Sequence, residues 1–363
     1  MKKVLLLAAT ASIVLSSCVK NEPANTFGAS DSKITFEAPV VGATTRAEAG
    51  EINDTYPTEE SFNVWGWYHE NDYTTFGDEG NGWSNYMTGT NGEPLTVTNN
   101  GNTWATATDY FWPKTGKLTF AAYSPADAQG TFTHSATGLS ITGFTVSAVG
   151  AQYDLMYSDR AYNRTSSSNN YAGEAENPYS GVDIVFHHAL SSIVFTTGTN
   201  GNYSSNADMA FSIKKITIKN VANSGDFKEN LTDGTTNRTP AWENQGAAQT
   251  EYVAFEGNFN VPVDGTFAEP TLPDAEPTDL ILLPQSFESN ADAVVLVEYT
   301  YKTAASDEIL ATETFQLKSA TNATAWVPNT RYTYHIIFGL DKITFAPVVE
   351  PWDDVTVTPE IGL

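Results

Sequence analysis

An apolar period of two constrains this chain more than any other feature. Val295, Val297, Tyr299 and Tyr301 alternate with Leu296, Glu298, Thr300 and Lys302, and Tyr332, Tyr334, Ile336, Phe338 and Leu340 form a second alternating face. Successive side chains of an extended strand point to opposite faces, so such runs specify strands, and the period of an amphipathic helix is scarce. Over 211–221 the apolar parity switches from Phe211 and Ile213 to Ile216 and Ile218. Lys214-Lys215 at the switch fits a β-bulge. Loops rich in Asn, Gly, Ser and Thr, such as 196–206, separate the runs. Many short strands joined by turns predict an all-β chain built from β-sandwiches. Its 363 residues suggest two domains. The polar stretch 163–181, with Pro178 inside, marks the boundary and gives an N-terminal unit 47–175 and a C-terminal unit 176–340.

Charge and cysteine content narrow the function. Asp and Glu number 43 against 18 Lys and Arg, a formal charge of −25. That field repels phosphate backbones, so nucleic acid is excluded as a partner. A single cysteine rules out an internal disulfide and a multi-cysteine zinc site. That cysteine, Cys18, follows Lys2-Lys3, an apolar run over 4–15 and Ser16-Ser17. The run is too short to span a bilayer and reads as a signal peptide, residues 1–17. Small residues before the cysteine resemble the bacterial lipobox, which makes Cys18 the acylated first residue of a lipoprotein. No later stretch is long enough for a membrane helix, so lipid is the expected anchor.

Enzymatic signals are missing. The sequence has no G-x-S-x-G elbow, no H-E-x-x-H and no phosphate-cradling loop, and no enzyme activity or cofactor is expected. His187 and His188 look like a metal pair, but neighbours on a strand face opposite ways and cannot easily share an ion. Asp72, Asp78, Glu79 and Asn81 offer oxygen ligands suited to calcium without EF-hand spacing, and read as a solvated loop; no metal site is assigned. Trp65, Trp67, Trp83 and Trp104 offer an alternative function, a carbohydrate platform on a monomeric surface adhesin. Phe62 and Val64 alternate with Trp65 and Trp67, however, and a strand apolar on both faces belongs in a core.

One internal repeat stands out. Lys33-Ile34-Thr35-Phe36-Glu37-Ala38-Pro39-Val40-Val41 recurs as Lys342-Ile343-Thr344-Phe345-Ala346-Pro347-Val348-Val349 if Glu37 is skipped. As strands, Ile34, Phe36 and Val40 point one way, and Ile343, Phe345 and Val349 repeat the spacing. Two segments at opposite ends of the chain could therefore fill one hydrophobic groove.

Lipobox, short strand, isolated arginine and two-domain β protein together resemble the fimbrillins, the major subunits of type V pili. Further motifs agree in order: Tyr110-Phe111-Trp112-Pro113 followed by 118–125, Tyr153-Asp154-Leu155-Met156-Tyr157, Phe186-His187-His188-Ala189-Leu190-Ser191, Leu282-Leu283-Pro284-Gln285, and Trp326-Val327-Pro328-Asn329 with Tyr332 and Tyr334. The resemblance implies two transthyretin-like β-sandwiches in tandem. It also implies export as an outer-membrane lipoprotein, removal of the N-terminal strand by an arginine-specific protease, and polymerisation with identical or related pilin subunits by donor-strand exchange; the lack of a large insertion and the C-terminal extension favour a stalk over a tip role. Arg46-Ala47 matches the cleavage position, so 18–46 becomes a lipidated propeptide. Ile34, Phe36 and Val40 become the plug that it carries. Residues 341–363 become the donor extension, with Ile343, Phe345, Val349, Val355 and Val357 as its inserted side chains; the alternative is that 342–349 is the last strand of its own domain and only 353–363 is donated.

Overall fold

The computed structural model describes residues 33–41, 56–77, 80, 82–101, 103–166, 181–205, 210–232, 237–246, 250–273, 279–302, 307–320, 323–339 and 343–352. Among them regular structure is β apart from short 3-10 turns such as Leu317–Ser319. The described strands form four sheets.

The first sheet has nine strands. Its main path runs Val40–Val41, Val185–His188, Met156–Ser158, Lys117–Ser124, Ser61–His69, Leu95–Asn99, Trp104–Thr106. Ala161–Arg164 also pairs with Lys117–Ser124, and Ser84–Met87 with Ser61–His69. The two-faced strand Ser61–His69 explains the layering. Phe62 and Val64 enter a core with Leu118, Phe120, Trp104 and Phe186, while Trp65 and Trp67 enter a different core with Ala121, Tyr123 and Tyr157. The sheet is thus covered on both faces, as its unbroken apolar sequence requires.

A four-stranded sheet covers the tryptophan face, in the order Ala241–Glu243, Ser224–Lys228, Gly138–Thr145, Thr131–Ser135. Phe132 stacks on Tyr123 with ring centroids 3.9 Å apart, and Phe227 lies 5.1 Å from Tyr157. Two of its strands come from each side of the boundary expected at 175/176, and Val185–His188 sits in the first sheet. The two expected units therefore interleave.

The remaining two sheets face each other. One runs Phe267–Ala268, Ser191–Thr199, Thr330–Phe338, Ile343–Pro351, and the other Thr250–Asn260, Ala210–Val221, Val294–Lys302, Ile309–Gln316. The alternating residues meet between them: Ile213, Ile216, Ile218, Val295 and Val297 pack with Phe195, Tyr332, Tyr334, Ile336 and Phe338. At Lys214 the ladder slips between Ile213 and Lys215 against both neighbours. That irregularity lets the strand bury Ile213 and then Ile216 despite their odd spacing.

Candidate functional site

Residues 33–41 lie between the two ends of the nine-stranded sheet. On one side Ile34 N donates to Tyr110 O and Phe36 N to Trp104 O, both at 2.8 Å. On the other, Val182 N donates to Thr35 O at 2.8 Å, Glu37 N to Val182 O at 3.1 Å and Val40 N to Ile184 O at 3.1 Å. Val40 and Val41 then pair in parallel with Val185 and Phe186. The segment thus ties the two ends of the sheet together, and both would otherwise present open ladder groups.

Its side chains anchor the core beneath. Ile34 and Phe36 are 1% and 2% exposed. The Phe36 ring meets Phe62 and Phe120 edge-on, with centroids 5.8 and 5.7 Å away. Lys33 Nζ lies 2.5 Å from Asp109 Oδ1. The backbone approaches Gly181 so closely that a Cβ there would stand 2.6 Å from the Phe36 carbonyl carbon, and Gly181 has φ +108. Only glycine suits that position.

The register carries one irregularity. Phe36 bridges Val182, whereas Val40 faces Val185, so four steps of the segment span three of its partner. The extra residue takes up chain at the exposed Ala38. Alternation is broken there, and Val41 packs on the Phe36 core beside Phe186. Val40 is buried with Val185 on the opposite face. The expected trio therefore divides, with Val41 joining Ile34 and Phe36 in place of Val40. Pro39, which cannot donate to a ladder, was the sequence signal that the alternation would not run through.

At the Val41 end the core opens into a cavity of about 300 Å³, lined by Val41, Tyr56, Ser124, Asp154, Met156 and His188 among others. The Tyr56 hydroxyl and Ser124 Oγ are 2.7 Å apart across its wall. Burial pushes the Tyr56 pKa up, so the phenol stays protonated. Neither Tyr56 nor Gly181 carried a periodic signal.

Ile343, Phe345 and Val349 lie elsewhere. Ile343–Pro351 is the edge strand of its own sheet, antiparallel to Thr330–Phe338 from Phe338↔Ile343 to Thr330↔Pro351. Phe345 stacks between Phe315 at 4.9 Å and Tyr334 at 4.7 Å. Val349 is 40% exposed. Cys18, Arg46, Ala47, Val355 and Val357 lie outside the described residues.

His187 and His188 point apart, His187 Nε2 to Asp159 Oδ1 at 3.1 Å and His188 Nδ1 to Asp154 Oδ2 at 2.6 Å. His188 also stacks on Trp352, with centroids 3.9 Å apart. Among the described residues no group of three His, Cys, Asp or Glu is placed to hold a metal ion. Asp72 pairs with Lys117, while Asp78, Glu79 and Asn81 lie outside the described residues. Trp65, Trp67 and Trp104 are buried and Trp83 half-buried, stacked on His69. Their faces are committed to the interior rather than offered to a sugar.

A buried ionic cluster joins the first sheet to its cover. Arg238 pairs with Asp159 and approaches Glu229 Oε1 at 3.8 Å. Glu229 Oε2 accepts from Leu139 N at 2.8 Å. Arg160, 2% exposed, donates to the Tyr73 hydroxyl at 2.8 Å and to Ala136 O at 3.0 Å, with its guanidinium 4.7 Å from the Phe76 ring centroid. Arg164 is 7% exposed, and Arg331 lies 3.4 Å from Asp279.

The fimbrillin-like family matches this chain over residues 45–352. The matched span leaves outside it both the 33–41 segment and everything after Trp352. No curated protein matches the sequence. Among solved structures, a fimbrial protein from Bacteroides vulgatus is similar with a TM-score of 0.54 at 16% identity, covering 88% of this chain and 99% of that one. A fimbrilin from Porphyromonas gingivalis matches at 10% identity with a TM-score of 0.40, covering 89% of this chain and 98% of that one.

Proposed function

The chain belongs to the fimbrillin-like family, and from that premise we propose that it is a structural pilin subunit of a cell-surface fimbria, built from two transthyretin-like sandwiches. In this reading Cys18 is acylated and the precursor travels to the outer membrane. An arginine-specific protease then cuts Arg46–Ala47, and the mature chain, 47–363, joins identical or related subunits as a stalk component.

The observation that carries the reading is the double-sided closure by 33–41. A segment that precedes Arg46 in sequence completes a sheet at both ends and fills its core. Its removal leaves two open edges and vacates the sites of Ile34, Phe36 and Val41. An extended strand from another subunit satisfies such a groove by backbone pairing and alternate side chains. Ile343–Pro351 is already engaged in its own sheet, so the donor is the chain after Trp352, with Val355 and Val357 among its inserted residues. Pro347, Glu350 and Pro351 suit the engaged strand to a guarded edge.

The test is limited digestion of purified precursor with an arginine-specific protease, followed by electron microscopy and N-terminal sequencing. Fibres whose subunits begin at Ala47 are the expected result, with Arg46→Ala remaining monomeric. Equal assembly of Arg46→Ala would overturn it.

A further inference from the structure

We propose that the donated strand is 355–363 of a second copy, lying along 182–188 in an unbroken parallel register, with Val357 opposite Val182, Ile361 opposite Phe186 and Leu363 opposite His188. Leu363 then fills the cavity at the end of the groove. The inference rests on the strand-donation reading above and fixes its register.

The plug carries one residue too many for its partner strand: Phe36 to Val40 takes four steps where Val182 to Val185 takes three. The tail lacks that residue. With Pro359 set on Pro39, Val355-Thr356-Val357-Thr358-Pro359-Glu360-Ile361-Gly362-Leu363 follows 34–43 with the position of Glu37 skipped. Val355, Val357 and Ile361 then fall on Ile34, Phe36 and Val41, the residues whose side chains enter the core. The match follows the structure's parity, including the change at Ala38 that regular alternation does not foresee.

The hydrogen bonds agree. Val182 O accepts from Glu37 N and Ile184 O from Val40 N. In the proposed register Thr358 N and Glu360 N take those places. Pro359 falls opposite Ile184, at the position whose nitrogen faces away from this neighbour and has no bond to make with it. A proline one residue to either side would delete a ladder bond.

The cavity supplies an independent reason for Leu363. Val41, the last described residue of the plug, lines a cavity of about 300 Å³, and the sequence after it reads Gly42-Ala43. Two steps past the Val41 position an incoming strand stands opposite His188, on the same face as Phe186, and His188 lines the cavity. A leucine there meets Tyr56 and Met156. The plug pairs irregularly, whereas the tail pairs evenly and carries a leucine to the cavity, which gives exchange a direction.

The occupant must come from another copy. Trp352 is held against His188 by ring stacking. Val355, three residues on, reaches at most about 11 Å further. The Ile34 site lies roughly 25 Å from His188 along the strand at about 3.3 Å per residue. The tail cannot enter its own groove in this register.

Cysteine pairing in the mature chain tests the register, because its only native cysteine, Cys18, leaves with the propeptide. A chain carrying Val185→Cys and Glu360→Cys, cleaved and assembled under oxidising conditions, should give a disulfide-linked ladder on non-reducing gels. Val185→Cys with Thr358→Cys or with Gly362→Cys should not. A ladder from either shifted pair in place of 185–360 would overturn the register and leave strand donation standing. Full assembly of a chain truncated after Trp352, with no ladder from any pair, would overturn strand donation by this tail. Leu363→Ala in the native background should still assemble and should disassemble in denaturant at least tenfold faster. An unchanged rate would overturn the cavity assignment.

Discussion

Phe36→Ala separates a packing residue of the precursor from one of the mature protein. Phe36 is 2% exposed and makes edge contacts with Phe62 and Phe120 in the core beneath the segment. Removing such a ring costs about 3–5 kcal/mol, because the surrounding wall of Leu118, Trp104 and Phe186 cannot collapse onto the void. With a urea dependence of roughly 2–3 kcal/mol per molar, the precursor's transition should fall by about 1–2.5 M. Tryptophan fluorescence reports it, since Trp104 and Trp112 share this core. After cleavage at Arg46 and removal of the released segment, the variant and wild-type chains are chemically identical, so their transitions must coincide. A precursor shift below about 0.3 M would refute the packing argument. A shift that persists after cleavage would show that the segment stays in its groove.

Arg238→Ala should destabilise by about 3–5 kcal/mol, because Asp159 and Glu229 are left as buried carboxylates without their cation; thermal unfolding of precursor and mature chain should drop alike. His134 lies among Trp65, Trp67 and Phe76, and burial, with Arg160 nearby, holds its pKa well below the usual histidine value. The unfolded chain takes up that proton first, so stability should fall as pH drops below about 6.5, by up to about 1.4 kcal/mol per unit, and His134→Gln should flatten the slope in urea titrations at successive pH values. Cys18→Ala should abolish fatty-acid labelling and membrane retention of the precursor; a variant still labelled would defeat the lipobox assignment.

Local pattern was informative where one face of one strand decided the outcome. Alternation placed Val295, Val297, Tyr332 and Tyr334 inward, the parity switch marked the slip at Lys214, and the two-faced run from Phe62 to Trp67 specified a covered strand. It could not choose partners. Nothing near Ser224–Lys228 says that it will join Gly138–Thr145 across the expected boundary, because that pairing is set by which apolar faces remain open after each hairpin forms. The repeat at 343–349 has the same limitation. Its composition suits a groove, but a nine-residue antiparallel ladder with Thr330–Phe338 is available next door in sequence, and short connections favour neighbours. Within 33–41, the substitution of Val41 for Val40 arises from a register slip that depends on Val182–Val185, residues about 140 positions away.

The distribution of positive charge has a consequence for selective digestion. The chain has five arginines, and the four in the described body, Arg160, Arg164, Arg238 and Arg331, are buried or tied to carboxylates, carbonyls or a strand ladder. Lysines hold the outer positions, with Lys33, Lys117, Lys214, Lys215, Lys219 and Lys228 at about a third to a half of their side-chain surface open. An enzyme that reads lysine therefore meets many substrates on this surface. One that reads arginine finds little of Arg160, Arg164 and Arg238 open, so under the proposed maturation the fold itself helps to confine cutting to Arg46.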